Sequence, residues 1–177
     1  MTDLIGYTRT CGAYSSGSLS VYLANAANVT SFTAVSGVYT SVTMVTGKTF
    51  KKYDFEIDQC EVKMEGIMEN GTYKEVQSIE FLMPEISAAM TIALNEMIDE
   101  SACGMIAIVE LNNVVGAASE KLVIGYNEVT AKSRPLRLIS NTGTSGKSLT
   151  DVQGQTVVLG CDSPETTYTA VLSIPGA

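Results

Sequence analysis

A pair of long strand-like runs joined by Asn70-Gly71 constrains the fold more than any other feature of this chain. The stretch reads DQCEVKMEGIMENGTYKEVQSIEFLM, with the two residues between the runs. Asn-Gly is the preferred pair for a two-residue type I′ turn, because both central positions of that turn need a positive φ. The sequence therefore predicts a long antiparallel hairpin with Asn70 and Gly71 at its turn.

Folding the runs back about this turn fixes which residues face one another. One face becomes mostly apolar, with these facing pairs: Cys60 with Phe81, Val62 with Ile79, Met64 with Gln77, and Met68 with Tyr73. The other face is charged and predominantly acidic; it carries Glu61, Lys63, Glu65, Lys74 and Glu80, interrupted by Ile67 and Val76. Glu61 falls opposite Glu80, which is unfavourable unless water solvates both carboxylates. We therefore expect the charged face to lie in water.

One segment, PEISAAMTIALNEMIDESACG, has the periodicity of an amphipathic α-helix. Its apolar residues recur at spacings of three and four: Ile86, Ala89, Met90, Ala93, Leu94, Met97 and Ile98. We expect the helix to begin near Pro84 and to end at Gly104. A single helix of about four turns is unstable alone, so it should pack on the sheet. The packing residues are predicted to be Ile86, Met90, Leu94 and Met97.

Most of the remaining chain is typical of short β-strands rich in Val and Thr. Strands are expected in SLSVYLA, VTSFTAV, GVYTSVTMVT, GMIAIVEL, KLVIGYNE, QTVVLGCD and TTYTAVLSI. Asn112-Asn113 is expected to form a turn. Residues 130–154 are rich in Ser, Thr and Gly and are predicted to form a flexible loop, with at most a short strand at 136–139. Residues 1–17 are expected to be an N-terminal arm.

The order of these elements, strands followed by one helix and then strands again, predicts a single domain over residues 1–177. The expected fold class is mainly β. It is an antiparallel β-sandwich or partly closed barrel with a long hairpin and one flanking α-helix. With 45% hydrophobic and 17% charged residues, the chain has the composition of an ordered globular protein.

The inventory of reactive side chains argues against an enzyme. The chain contains no His, the commonest side chain for proton transfer near neutral pH, and no nucleophile has a visible base. Its four cysteines, Cys11, Cys60, Cys103 and Cys161, lack the close spacing of a zinc site. We therefore expect no catalytic residue, no metal and no cofactor.

Gly146-Lys147-Ser148 resembles the end of a phosphate-binding P-loop, G-x-x-x-x-G-K-[ST]. However, Asn141 occupies the position of the first glycine. A working P-loop also leads into a helix, whereas the residues after this motif predict a polar turn and then a strand at 156–159. The motif is therefore interpreted as a coincidence within a loop.

Acidic residues outnumber basic residues by 19 to 11, which gives a formal net charge of -8. This balance disfavours a phosphate-binding surface, since nucleic-acid binders rely on basic patches. No apolar run is long enough to span a membrane, and the N-terminus lacks the pattern of a signal peptide. We expect a protein made in a reducing cytoplasm, whose cysteines act as small, mostly buried hydrophobic residues.

The order of elements resembles that of the phage tail tube proteins, a family shared by contractile and non-contractile tails and by the inner tube of type VI secretion. KKYDFEIDQCEVKMEGIMENGTYKEVQSIEFLMPEISAAMTIALNEMIDES resembles the hairpin and helix of that family. MIAIVELNNVVGAASEKLVIGYNE and DVQGQTVVLGCD resemble its closing strands. GSLSVYLANAANVTSFT is similar to the beginnings of structural proteins from phages of Bacteroidetes hosts. The resemblance is one of pattern and rests on no invariant motif.

The resemblance implies that long hairpins of neighbouring subunits pair side by side, so that six subunits close a ring and rings stack into a tube. It implies partners among copies of this chain and other tail proteins, DNA that passes without specific binding, and no membrane. The location would be the virion tail, after assembly in the host cytoplasm. The charged hairpin face, with Glu61, Lys63, Glu65, Lys74 and Glu80, would line the lumen.

Two other functions stay open from the sequence. The chain could be another virion component, such as a head-to-tail connector, a tail terminator or a capsid decoration protein, because sandwich folds recur in these roles. It could instead be a monomeric β-sandwich binding module. A tube subunit must close rings and stack them, and a binding module needs to do neither.

Overall fold

The structure is a computed structural model that describes residues 17–55, 59–84, 86–114, 119–146 and 153–175. The strands within these residues are β1 (Ser18–Asn25), β2 (Val29–Val35), β3 (Val38–Met44), β4 (Lys51–Asp54), β5 (Cys60–Glu69), β6 (Thr72–Pro84), β7 (Met105–Val114), β8 (Ser119–Ile124), β9 (Arg137–Thr144), β10 (Gly154–Ser163) and β11 (Thr169–Ala170). A short 3-10 helix, Ala26–Asn28, follows β1, and the α-helix α1 (Ala88–Cys103) joins β6 to β7.

These strands form two sheets. The larger sheet has the order β2-β3-β11-β8-β7-β1-β4, and the smaller sheet has the order β5-β6-β10-β9. The described pairs are antiparallel, apart from the short parallel pairing of β11 with β3. The prediction of a mainly β, sandwich-like fold with one α-helix is confirmed, and the sheets do not close into a barrel.

The main core lies between the two sheets and under α1. It combines Val21 and Val109 from the larger sheet with Ile79, Phe81 and other residues of the smaller one. A second apolar cluster covers the opposite face of the larger sheet; it includes Tyr22, Phe32, Tyr39, Phe50, Ile106, Ile108 and Leu172. Because successive side chains of a strand alternate in direction, the central strands β1 and β7 bury both faces. This explains the unbroken apolar run in β7.

α1 packs on the core through three of its four predicted residues: Met90, Leu94 and Met97 are buried. Ile86 was predicted as the fourth, and this is wrong, because it precedes the helix and is 53% exposed. β6 stays paired with β10 as far as Pro84. The helix therefore starts later, where the Ser87 hydroxyl accepts a hydrogen bond from the Met90 N–H at 3.2 Å. It ends at Gly104, as predicted, with a φ of 90°.

Two segments predicted as irregular contain strand. The flexible loop predicted at 130–154 is wrong in its middle, because β9 lies within it and pairs with β10. The turn predicted at Asn112-Asn113 is also wrong, since both residues lie inside β7. In β9 the pairing with β10 imposes an extended conformation on a sequence with weak strand preference. β11 is shorter than predicted, and the arm predicted at residues 1–17 lies outside the described residues except for Gly17.

Candidate functional site on the long hairpin

Asn70 and Gly71 form the turn of the β5–β6 hairpin, as the sequence predicts. Their φ angles are 50° and 77°, positive as a type I′ turn requires at both central positions. The strands pair from Glu69 opposite Thr72, beside the turn, to Cys60 opposite Phe81 at the base. All four facing pairs predicted for the apolar face form, and Glu61 faces Glu80. The predicted register is therefore confirmed.

The smaller sheet supports the hairpin over part of its length. β10 pairs with β6 from Gly154 opposite Pro84 to Ser163 opposite Glu75. Beyond Glu75, which faces Gly66, residues 67–74 pair only with one another within the described part of the chain. We call residues 66–74 the hairpin tip. At about 3.3 Å per residue, the tip extends roughly 15 Å past the last supported position.

The charged face of the hairpin holds a small ion-pair cluster. The Lys63 ammonium lies 3.0 Å from a Glu61 carboxylate oxygen and 3.5 Å from one of Glu80. It therefore sits between the two like charges that the register places opposite each other. The hydrogen bond to Glu61, and then the charges of Glu61 and Glu80, raise the pKa of Lys63 above its ordinary value. All three side chains are exposed, so water screens these interactions.

The other two residues of the charged face are not part of this cluster. Lys74 pairs with Asp162 of β10 at 3.0 Å, a partner that the sequence did not suggest. Glu65 is exposed on the same face, opposite Val76. The structure thus places all five predicted residues on one face, but it brings only Glu61, Lys63 and Glu80 into contact.

The opposite face of the hairpin carries a buried carboxylate that the sequence analysis did not single out. Glu75 is only 4% exposed. Its Oε1 accepts hydrogen bonds from the Thr167 N–H at 2.9 Å, from the Thr167 hydroxyl at 2.6 Å and from the Gln77 amide at 2.9 Å. Its Oε2 accepts one from the Tyr73 hydroxyl at 3.1 Å. The carboxylate is thus satisfied by neutral donors.

The neighbouring groups extend this network into β10. The Gln77 amide also donates to the Thr167 hydroxyl oxygen at 2.7 Å, and its own carbonyl oxygen accepts from the Cys161 thiol at 3.3 Å. Burial by itself raises the pKa of Glu75, but the hydrogen bonds from Thr167, Gln77 and Tyr73 outweigh burial and lower that pKa below its ordinary value. Glu75 is therefore ionised at neutral pH.

Gly66 makes room for the aromatic ring that reaches this carboxylate. A Cβ on Gly66 would lie 2.7 Å from the Tyr73 hydroxyl oxygen and 3.0 Å from a ring carbon. The Tyr73 ring therefore lies directly over the Gly66 backbone, across the strand pair. This contact explains a glycine in the middle of β5, where glycine otherwise weakens a strand.

Several large apolar side chains at and beside the hairpin tip are exposed. Met68 is 68% exposed, and Met64 and Ile67 are also exposed. Met64 and Met68 belong to the face that continues the core at the base of the hairpin, where Cys60 and Phe81 are buried. The apolar face thus runs out of the sandwich and ends in solvent. Large apolar side chains exposed on one face in this way are available for contact with another protein.

Both outer strands of the smaller sheet have an edge that pairs with no other strand within the described residues, although α1 covers the start of the β9 edge, where the Leu138 N–H donates to the Ser101 hydroxyl at 2.7 Å. β5 pairs with β6 alone and β9 pairs with β10 alone. β5 carries Glu61, Glu65 and Glu69 against the single cation Lys63. β9 carries one charge, the cation Arg137. The two edges therefore differ in charge, with β5 acidic and β9 weakly basic.

One position of the P-loop-like motif, Asn141, lies in this sheet. The described residues continue after Asn141 to Gly146, and those from 153 lead into β10. The strand expected at 156–159 is confirmed as part of β10. Lys147 and Ser148 lie outside the described residues.

A cleft lies away from the hairpin. Its volume is about 480 Å³, and Lys48 and Lys51 line it together with Glu96 and Glu100 of α1. The Asn25 amide donates to the Glu100 carboxylate at its edge. The side chains left without a hydrogen-bond partner in the core, such as Tyr39, do not line this cleft. The cleft therefore presents mixed charges and no unsatisfied group that calls for a ligand.

No protein-family model, curated protein or solved structure matches the chain. Across the described residues, no three or more Cys, Asp or Glu side chains come together in a way that could hold a metal ion. α1, the α-helix of the described part, is too short to span a membrane. The hairpin and its sheet are therefore the features of the described structure that indicate a function.

Proposed function

We propose that this chain is a structural subunit of a phage tail tube. Its copies assemble into rings of six, the rings stack, and the lumen conducts DNA during ejection. In this role the chain is not an enzyme and needs no cofactor; its partners are its own copies and other tail proteins. It would be assembled in the host cytoplasm and reside in the virion tail.

The observation that carries this proposal is the four-stranded sheet with open edges at β5 and β9. Exposed strand edges favour pairing with another chain, and natural monomers usually cover or shorten them. β5 is ten residues long and its hairpin extends beyond the sandwich. Pairing β5 of one copy with β9 of the next is a head-to-tail contact, which closes into a ring when the rotation between copies allows it.

The charges on the two edges support this pairing. Glu65 and Glu69 form no ion pair within the described residues, while Lys63 is shared between Glu61 and Glu80. Arg137 of β9 lacks a carboxylate partner over the same residues, although its guanidinium lies 3.4 Å from the Ala102 carbonyl oxygen. An acidic edge beside a basic edge favours contact between two copies in one orientation.

The charged hairpin face supports the role of a lumen lining. Together with Asp162 it carries five carboxylates, on Glu61, Glu65, Glu69, Glu80 and Asp162, against the two ammonium groups of Lys63 and Lys74. Both lysines are already paired with carboxylates of the same chain. Such a surface does not offer free cations to phosphate, so a DNA backbone passes it without binding tightly.

The decisive experiment measures the mass of the purified chain by light scattering and images it by negative-stain electron microscopy. We expect rings of about six copies, or stacked tubes with a central channel. Replacing both Glu65 and Glu69 by Lys should shift assembly toward the free subunit at low salt, because like charges then meet at each contact. Glu120→Lys is the matched control, since Glu120 is an exposed acid in the larger sheet.

Two results would contradict parts of this proposal. A single-chain mass at all concentrations, without rings or tubes in the images, would contradict self-assembly and favour a decoration protein or a monomeric binding module. Equal assembly of the double-lysine variant and the Glu120 control would refute the proposed edge contact while leaving ring formation intact.

A further inference from the structure

Besides the strands themselves and the Lys74–Asp162 ion pair, the hairpin tip has a further connection to the body of the protein. Counted from the base of the hairpin toward its turn, Glu75 is the last residue of β6 that pairs with β10. It therefore lies where the tip leaves the sandwich. Its carboxylate accepts hydrogen bonds from a residue of the tip and from a residue of the sandwich. Tyr73, within the tip, donates to one oxygen, and Thr167, 92 residues away in sequence, donates twice to the other.

The partners on each side are themselves held in place. The Tyr73 ring packs over Gly66 on the facing strand. The hydrogen bond from the Tyr73 hydroxyl to Glu75 therefore holds a side chain that contacts both strands of the tip. Thr167 lies in the connection between β10 and β11, and Gln77 bridges it to Glu75 from the same strand. A two-stranded ribbon is only marginally stable in water without such support.

We propose that Glu75 is a positioning residue that holds the hairpin tip formed and in a fixed direction on the free subunit. The proposal rests on the proposed function, because the tip and the edge of β5 are where the subunits would meet. A tip that is already ordered loses less conformational entropy when it pairs with a neighbour. Rings would accordingly form faster than from a subunit with a frayed hairpin.

Amide hydrogen exchange on the unassembled subunit tests this, with separate readings for tip residues 66–74 and for β7. Tyr73→Phe removes one hydroxyl and keeps the ring over Gly66, and Thr167→Val removes the other hydroxyl at nearly constant shape. We expect each change to accelerate exchange in the tip about tenfold and to leave β7 within about twofold of the wild type. Thr167→Ser, which keeps the hydroxyl, should restore wild-type exchange.

Thr72→Val provides a matched control, because Thr72 is an exposed tip residue and its hydroxyl is not a donor to Glu75. Unchanged tip exchange in both Tyr73→Phe and Thr167→Val would overturn the proposal. Equal acceleration in the tip and in β7 would overturn it too, since the residues would then stabilise the whole fold without positioning the hairpin. The exchange experiment does not need rings, so a chain that fails to assemble would reject the tube function and still test the role of Glu75.

Discussion

Replacing Glu75 by Ala and by Gln should give two clearly different losses of stability. In Glu75→Ala the Thr167 N–H loses its acceptor inside the protein, while the Thr167 hydroxyl can turn and Gln77 keeps its bond to that hydroxyl. A buried donor without a partner costs about 1–3 kcal/mol, and the lost bonds to a charged group add to it. We therefore expect the free energy of unfolding to fall by roughly 2–4 kcal/mol.

Glu75→Gln keeps the shape and most of the bonds. Its amide oxygen can occupy the position of Oε1 and accept from Thr167 and Gln77, and its NH₂ group can donate to the Tyr73 hydroxyl oxygen. The loss is then that of charge assistance alone, about 1 kcal/mol. Urea unfolding at neutral pH, followed by circular dichroism, measures both variants. Equal losses for Ala and Gln, or a change below about 0.5 kcal/mol for Ala, would refute the network as drawn.

The unfolding free energies of the wild type and of Glu75→Gln should depend differently on pH. The pKa of Glu75 is lowered in the folded state from an ordinary value of 4.5. Its ionised form therefore contributes stability above that ordinary value, and this contribution is lost as the pH falls through the lower, folded-state pKa. The difference in unfolding free energy between the wild type and Glu75→Gln should thus shrink below about pH 4. A difference that stays constant from pH 7 to pH 3 would show that the carboxylate charge contributes nothing.

Two further pairs of substitutions test the packing of the smaller sheet and of α1. Gly154→Ala should destabilise the fold by more than about 2 kcal/mol, because the φ of Gly154 is 148° and a Cβ there would lie 2.4 Å from the Met83 carbonyl oxygen. Gly143→Ala is the control, since its Cβ would meet the flexible Gln155 side chain at 3.3 Å. We expect it to cost less than about 1 kcal/mol in the same denaturation assay. Met97→Ala should cost about 2–5 kcal/mol because Met97 is buried in the main core. Ile86→Ala should cost less than about 1 kcal/mol, and a larger loss would contradict the exposed position of Ile86.

The sequence predicts the hairpin well because its determinants are local. Asn70 and Gly71 specify a two-residue turn, and once the turn is placed every facing pair of β5 and β6 follows by counting. The helix is predicted less well at its beginning. Its periodicity identifies Met90, Leu94 and Met97, but the pairing of Pro84 with Gly154 decides where β6 stops. That pairing joins segments seventy residues apart, and nothing near Pro84 reveals it.

β9 was missed for a related reason. RLISNTGT has no clear alternation, and its side chains are mostly exposed, so its extended form comes from pairing with β10. A strand whose conformation depends on its neighbour leaves little trace in its own residues. Its charge, by contrast, could be read directly, since the segment contains Arg137 and no acid.

The sequence does contain a signal for the buried network at Glu75, namely the position of Glu75 in the hairpin register. Counting back from the turn places Glu75 and Gln77 on the same face as Ile79 and Phe81, which is the face that enters the core. A carboxylate at such a position must find hydrogen-bond donors, because burying a charge without them costs several kcal/mol. The pattern therefore required donors, but it could not identify Thr167, which reaches the site through the return of the chain after β10. The register of the hairpin thus shows that Glu75 needs hydrogen-bond donors, but the sequence does not show which residue supplies them.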